Sequence, residues 1–298
     1  MTVVSSPTPA PTPAGAAGLL PERATAFLVG IVDDAEAVAP GSTSLADAIQ
    51  THRSHRHEPH GLVVGPLLAQ VSRLAEVLDA LDAHASSDPL DLVLIADTGL
   101  VEAAEARAVL LDDDRVELVG LEVALPRDSS MALAAHTTLD SLDFALPAAI
   151  ELPRAAGWQE ALGVIASDGA ERVGFRAGGT GEFVPDHDLA EFVHAAVQRG
   201  ASFKLTTGPG RALRHTDPAS GTEHHGFLNV LAATAEALDG RGLEHLVAVI
   251  AERDPLPLLA ILGDAEPRTV RARFTSFDSD SLGQTIEDMR TLGMLDLP

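Results

Sequence analysis

The sequence predicts an α/β domain whose parallel strands, seven or eight of them, close into a barrel. Two observations carry this. Short apolar runs alternate with segments of helical periodicity from Gly61 to Ser202, the rhythm of a parallel sheet with a helix behind each strand. Polar residues fall at the ends of most of those runs, which is where a TIM-barrel-like domain gathers its chemistry. The 298 residues, 46% of them apolar, suffice for one barrel of roughly 250 residues with its own core. An open doubly wound sheet is the alternative arrangement of the same units.

Residues 1–20 are rich in Pro, Ala, Thr and Ser and lack a periodic apolar face, so a disordered tail is expected. Residues 21–60 read as an N-terminal helical extension. Pro21-Glu-Arg opens a helix in which Phe27, Leu28, Ile31 and Val32 recur at helical spacing, closed by Pro40-Gly41. Ser44 stands where it would cap a second helix reaching about Arg56. His52, His55, His57 and His60 lie there beside Arg53 and Arg56; they read as a solvated basic helix end rather than as metal ligands.

The barrel is expected over residues 61–298. Its strands are Gly61 to Pro66, Leu90 to Ala96, Val116 to Ala124, one within Phe144 to Leu152, Arg172 to Ala177, Ser202 to Thr206 and Val270 to Phe277. Helices follow around Val71–Leu81, Val101–Leu111, Met131–Leu142, Trp158–Ala166 and Leu189–Gln198. After the sixth strand the rhythm breaks into successive helices, Phe227–Leu238, Leu243–Ala251 and Leu256–Leu262, and a last helix spans Ser281–Leu292.

Composition narrows the chemistry. A formal charge of −24 argues against nucleic-acid or membrane partners. No cysteine is present, so thiolate nucleophiles and disulfides are excluded, and no tyrosine can serve as acid or base. No run approaches the ~20 apolar residues of a membrane span, and the N-terminus lacks a basic, apolar leader. The expectation is a cytoplasmic protein with a small, anionic substrate; a homo-oligomer is left open.

If the strands are parallel, Asp97, Glu122, Glu151, Arg176, Lys204 and Ser276 come to one rim. Lys204 is the only lysine, and Asn229 downstream is the only asparagine. Lys204, Glu122, Glu151 and Asp97 are therefore the candidate catalytic residues. Arg176, Gly178, Gly179, Thr206, Gly208, His215, His225 and Asn229 are candidate substrate-binding residues, with Gly178-Gly179-Thr180-Gly181 and Gly208-Pro209-Gly210 offering backbone N–H groups to an anion. Buried beside Arg176, the Lys204 amine would lose proton affinity and could attack a carbonyl as a Schiff-base nucleophile. Kept charged, it would stabilise an enolate or hold an acid group.

The residues Lys204-Leu-Thr-Thr-Gly208 resemble the lysine motif K-x-[ST]-T-G of deoxyribose-phosphate aldolase, which also lies on the sixth strand of a barrel. That family carries a second lysine on the following strand, for which this chain has no counterpart; Arg176-Ala-Gly-Gly179 is similar to the second motif with arginine for lysine, but precedes the first. Phe203-Lys-Leu-Thr-Thr-Gly208 and His225-Gly-Phe-Leu-Asn229 also resemble an uncharacterised bacterial family of barrel-like proteins with the pattern F-K-x-T-x-G … H-G-F-L-N. The resemblance extends over most of residues 21–298, including Thr275-Ser-Phe, and implies no activity.

Three functions follow as expectations. The first is a cofactor-free, aldolase-like lyase centred on Lys204 at the C-terminal rim. The second is a lyase or isomerase using a divalent metal held by strand-end carboxylates and a loop histidine among His215, His224 and His225. The third is a non-catalytic ligand-binding barrel.

Overall fold

The computed structural model describes residues 21–38, 43–84, 86–127, 130–142, 146–179, 182–208 and 210–295. The expected tail at 1–20, Pro40-Gly41 and the loop residues Thr180, Gly181 and Pro209 lie outside the described residues.

Eight parallel strands close a barrel: β1 (Val32–Asp34), β2 (Val64–Gln70), β3 (Leu90–Ile95), β4 (Val116–Ala124), β5 (Ala148–Leu152), β6 (Arg172–Arg176), β7 (Phe203–Thr206) and β8 (Phe274–Ser279). Each strand pairs with its neighbour in sequence, and β8 closes on β1. Helices α1 (Pro21–Leu28), α2 (Leu45–His57), α3 (Leu74–Ala83), α4 (Leu100–Leu111), α5 (Met131–Ser141), α6 (Trp158–Asp168) and α7 (Asp186–Gln198) run through the first seven units. Between β7 and β8 lie α8 (Phe227–Leu238), α9 (Leu243–Ala251), α10 (Pro255–Asp264) and α11 (Pro267–Arg271); α12 (Leu282–Thr291) follows β8. No helix of the described residues is long and apolar enough to cross a membrane.

The eighth strand is β1, inside the stretch expected to be a helical extension. Phe27, Leu28, Ile31 and Val32 are all fully buried, but they belong to two elements. Helix α1 stops at Leu28, Gly30 takes a left-handed φ of 56°, and Ile31-Val32 enters the sheet. The barrel thus begins at Val32 rather than at 61, and among the described residues α1 is the one element before it. Ser44 caps α2 as expected, its Oγ accepting from the Asp47 N–H. Of the histidines read as a solvated end only His57, at the end of α2, is exposed as expected: His52 is buried on Asp34 of β1 at 2.9 Å, and His55 shares a hydrogen bond of 3.0 Å with His60 of the following turn. Helix α2 packs on α3 and β2 and reaches β1 through His52. The last strand is shifted too. Pro267 starts α11, Glu266 caps it through the Arg268 N–H, and the strand runs from Phe274 to Ser279.

Outside the barrel the sheet meets its helices through aromatic rings. Trp158 lies 6.3 Å from Phe192, Phe192 is 5.4 Å from Phe203, and Phe203 is 5.3 Å from Phe274; Phe274 reaches Phe277 at 6.4 Å and Phe277 reaches Phe227 at 5.1 Å. Helix α8 is buried on nearly every face because α7, α9 and α10 enclose it against β8. Inside the barrel, side chains of opposite parity divide into two halves. Leu68 and Val93, with Ile95 and Val119, make an apolar half, and the strands β6, β7, β8 and β1, with Glu122 of β4, supply a charged one.

Candidate active site

Lys204 is the second residue of β7, level with Gly174 of β6 and Ser276 of β8. Its Nζ reaches Asp33 on β1 and Glu122 on β4, strands on different sides of the barrel, so the contacts cross the lumen. Asp33 Oδ2 accepts from Lys204 Nζ at 2.7 Å and from Ser276 Oγ at 2.7 Å. Glu122 Oε1 accepts from Nζ. Asp278 Oδ1 lies 2.7 Å from Nζ as an ion pair, out of line for a hydrogen bond. Oxygens of these three acids stand within 4.8 Å of one another, and all four side chains are buried. Asp33 can lie across β2 because Gly65 is there; a Cβ at that position would collide with Asp33 Oδ1.

Burial works against the charge of Lys204, but Asp278, Asp33 and Glu122 outweigh it and raise its pKa well above the usual lysine value. The amine is an ammonium at neutral pH, which a Schiff-base nucleophile cannot be. Burial and the neighbouring Glu122 push Asp278 well above the usual carboxylate range, more than Lys204 pulls it down. The cluster thus sets one ammonium among three buried carboxyl groups, and Asp278 holds a proton more readily than an exposed carboxyl would.

A second group stands at the C-terminal ends of β5 to β7. Arg176 holds Glu151 through Nε at 3.1 Å and Nη2 at 3.0 and 3.1 Å, and donates to Thr207 Oγ1 at 2.9 Å. Thr206 donates to Glu151 Oε2. Thr207 has φ 51°, the one positive φ outside glycine among the described residues, and a β-branched residue adopts it at a cost. The next N–H, of Gly208, donates to the Asp278 carbonyl at 3.1 Å, and a Cβ on Gly208 would stand 2.7 Å from that oxygen. Lys204 and Arg176 thus sit on adjacent strands, as expected, but each has its own acids.

A cavity of about 180 Å³ reaches Lys204, Asp33 and Glu122, and also touches Gly30, Arg172 and Thr275. Gly30 precedes β1, Arg172 begins β6 and Thr275 is second in β8, so it extends toward the N-terminal end of the barrel. The Arg172 guanidinium makes no side-chain hydrogen bond or ion pair among the described residues; its Nη2 faces Gly120. Glu122 Oε2 makes no hydrogen bond among the described residues.

The other expected residues lie apart. Asp97 is exposed and accepts from the N–H and Oγ of Ser72, joining the ends of β2 and β3. Gly178 and Gly179 pair with Phe183 and Glu182 in a small hairpin. His215 stacks on His224 across a second hairpin. His225 is buried, bonds through Nε2 to the Val184 carbonyl at 2.7 Å, and is held neutral chiefly by burial, below its ordinary pKa. Asn229 spends its amide on backbone, accepting from the Arg214 N–H and donating to the Val249 and Glu252 carbonyls. Sequence reading missed Asp33, Asp278, Arg172 and Thr207. Asp278 was within reach of the strand-end rule: it follows Phe277 directly. Comparison of the chain with protein-family models, with curated proteins and with solved structures gives no match.

Proposed function

We propose that the protein is an enzyme, a lyase or isomerase, that moves a proton beside the carbonyl group of a small anionic metabolite in the charged half of the barrel. The observation that supports this best is the cavity shared by the Lys204 ammonium, the Glu122 carboxyl and the Arg172 guanidinium. The unengaged guanidinium takes the substrate's acid group, as its planar fork suits a carboxylate. Glu122 Oε2 removes the proton. Lys204, fixed by Asp33 and Glu122, holds the oxygen on which negative charge develops. Asp278, in contact with Lys204, adjusts the charge of the cluster rather than touching substrate, since it does not line the cavity.

The test is solvent exchange. A panel of small oxo- and hydroxy-carboxylates is incubated with the protein in D2O and the α-proton signals are followed by NMR. Loss of signal is expected for at least one member, slowed by roughly 100-fold or more in Glu122→Gln. Exchange unchanged in Glu122→Gln would sink the assignment. Borohydride trapping separates this reading from the aldolase-like one, which the Lys204 to Gly208 motif suggests. No adduct is expected at Lys204; a trapped adduct there, absent from Lys204→Arg, would reinstate the imine.

One observation favours a metal-dependent second reading: the oxygens of Asp33, Glu122 and Asp278 are close enough to share a cation. In this structure Lys204 Nζ stands among them, so a metal requires its displacement. Metal analysis of the purified protein decides; a stoichiometric divalent ion would favour the metal reading.

A further inference from the structure

A second cavity lies outside the barrel lumen. A cleft of about 390 Å³ opens between the loop after β5 and the start of α7, on the opposite side of the sheet from Glu151 and Arg176. Its floor is Leu152 and Phe175, both buried residues of β5 and β6 that point away from the lumen. Trp158, the only tryptophan, lines it from the first position of α6. Asp188 and Glu191, one turn apart on α7, line it with acid, and Arg154 from the loop contributes one positive charge.

We propose that this cleft binds a small organic ammonium ion with an aromatic or branched apolar body, independently of the chemistry in the lumen. Three features fit that class. The volume falls within the range of small-ligand pockets. The floor and Trp158 offer apolar surface and an aromatic ring, which attracts a cation placed over it. The acids exceed the base two to one, and neither acid is saturated. Arg154 and the exposed His187 each approach Asp188 only to 3.8 Å, beyond hydrogen-bond distance, and Glu191 uses Oε1 for Gln159 Nε2 at 2.8 Å. A ligand ammonium set between the two helices meets Asp188 and the remaining oxygen of Glu191 while its body lies on Trp158, Leu152 and Phe175.

The chain reports on this cleft by itself, because it contains no tyrosine and one tryptophan. The experiment titrates the whole protein with phenethylammonium, with 3-phenylpropanol and with 3-phenylpropionate, following Trp158 emission excited at its red edge. A saturable change is expected for the ammonium, weaker by about tenfold for the alcohol and weaker still for the carboxylate. The double variant Asp188→Asn, Glu191→Gln removes the preference for the ammonium. If that variant does not fold, Arg154→Gln serves instead: removing the competing positive charge tightens ammonium binding, and raising salt to about 0.5 M loosens it. Equal binding of all three compounds, no saturation, an undiminished ammonium preference in the double variant, or weaker ammonium binding by Arg154→Gln would overturn the proposal.

Discussion

Lys204 is charged inside a barrel because three strands deliver acids to one point. A lone ammonium in that place would be strongly disfavoured, and so would three acids without it. Lys204→Met leaves Asp33, Glu122 and Asp278 together without a cation. It is expected to cost ~3–5 kcal/mol, measured by denaturant unfolding. Asp278→Asn should cost far less, within about 1 kcal/mol, because burial and Glu122 already work against the charge of Asp278 and the amide keeps its shape. A large loss from Asp278→Asn would show that the carboxylate is ionised. Away from the lumen, the histidines beside β1 predict a pH response. Burial, with His55 and Arg290 nearby, holds His60 below the ordinary histidine value, and burial does the same to His55. Arg290 donates to His60 Nδ1 at 3.0 Å, an atom that cannot then take a proton without losing the bond. The unfolded chain takes up protons near pH 6.5 and the folded chain resists them. Their contribution to stability is therefore complete above about pH 6.5 and lost as pH falls below it. Thermal melts at successive pH values should show this fall, and it should shrink in His60→Gln.

Among the elements, β7 holds the most consequence in four residues. Its outward Phe203 and Leu205 anchor the aromatic row, and its inward Lys204 and Thr206 enter the lumen. Phe203 sits mid-row between Phe192 and Phe274, so Phe203→Ala opens a cavity with rings on two sides, at an expected cost of ~3–5 kcal/mol by denaturant unfolding. Gly208→Ala, just beyond the strand, forces a Cβ against the Asp278 carbonyl and should cost ~1–3 kcal/mol; melting unchanged from wild type would show that the β7–β8 approach relaxes freely. Strands such as β4 were legible because long alternation bounded by polar residues leaves few other readings. The three-residue β1 was not. Ile31 and Val32 continue the spacing of Phe27 and Leu28, and only the turn at Gly30 separates the two elements. The cost of that misreading was the site itself, since Asp33 belongs to β1. Strand-end residues gave Glu122, Glu151, Arg176 and Lys204, but which acid meets which cation depends on stagger around the barrel, and no local pattern records it. His225 and Asn229 looked functional because they are rare or polar in an apolar setting; their atoms turn out to bond loop and helix backbone.

Over the whole molecule the acid excess sets a background field. At a net charge of −24 the folded chain repels itself, and salt screens that repulsion. Raising NaCl from about 20 mM to about 500 mM should raise the melting temperature. A fall would show that the surface ion pairs, such as Arg115 with Asp113 and Asp82, outweigh the repulsion. The same barrel gives the chain another property. Its sole side-chain amine is buried among three acids, so a lysine-directed reagent too bulky for the cavity of about 180 Å³ reaches it only when strands part. Acylation of Lys204 is then a clock for opening. When reagent is scarce its rate reports how often the open form is populated, and when reagent is abundant it reports how fast the barrel opens.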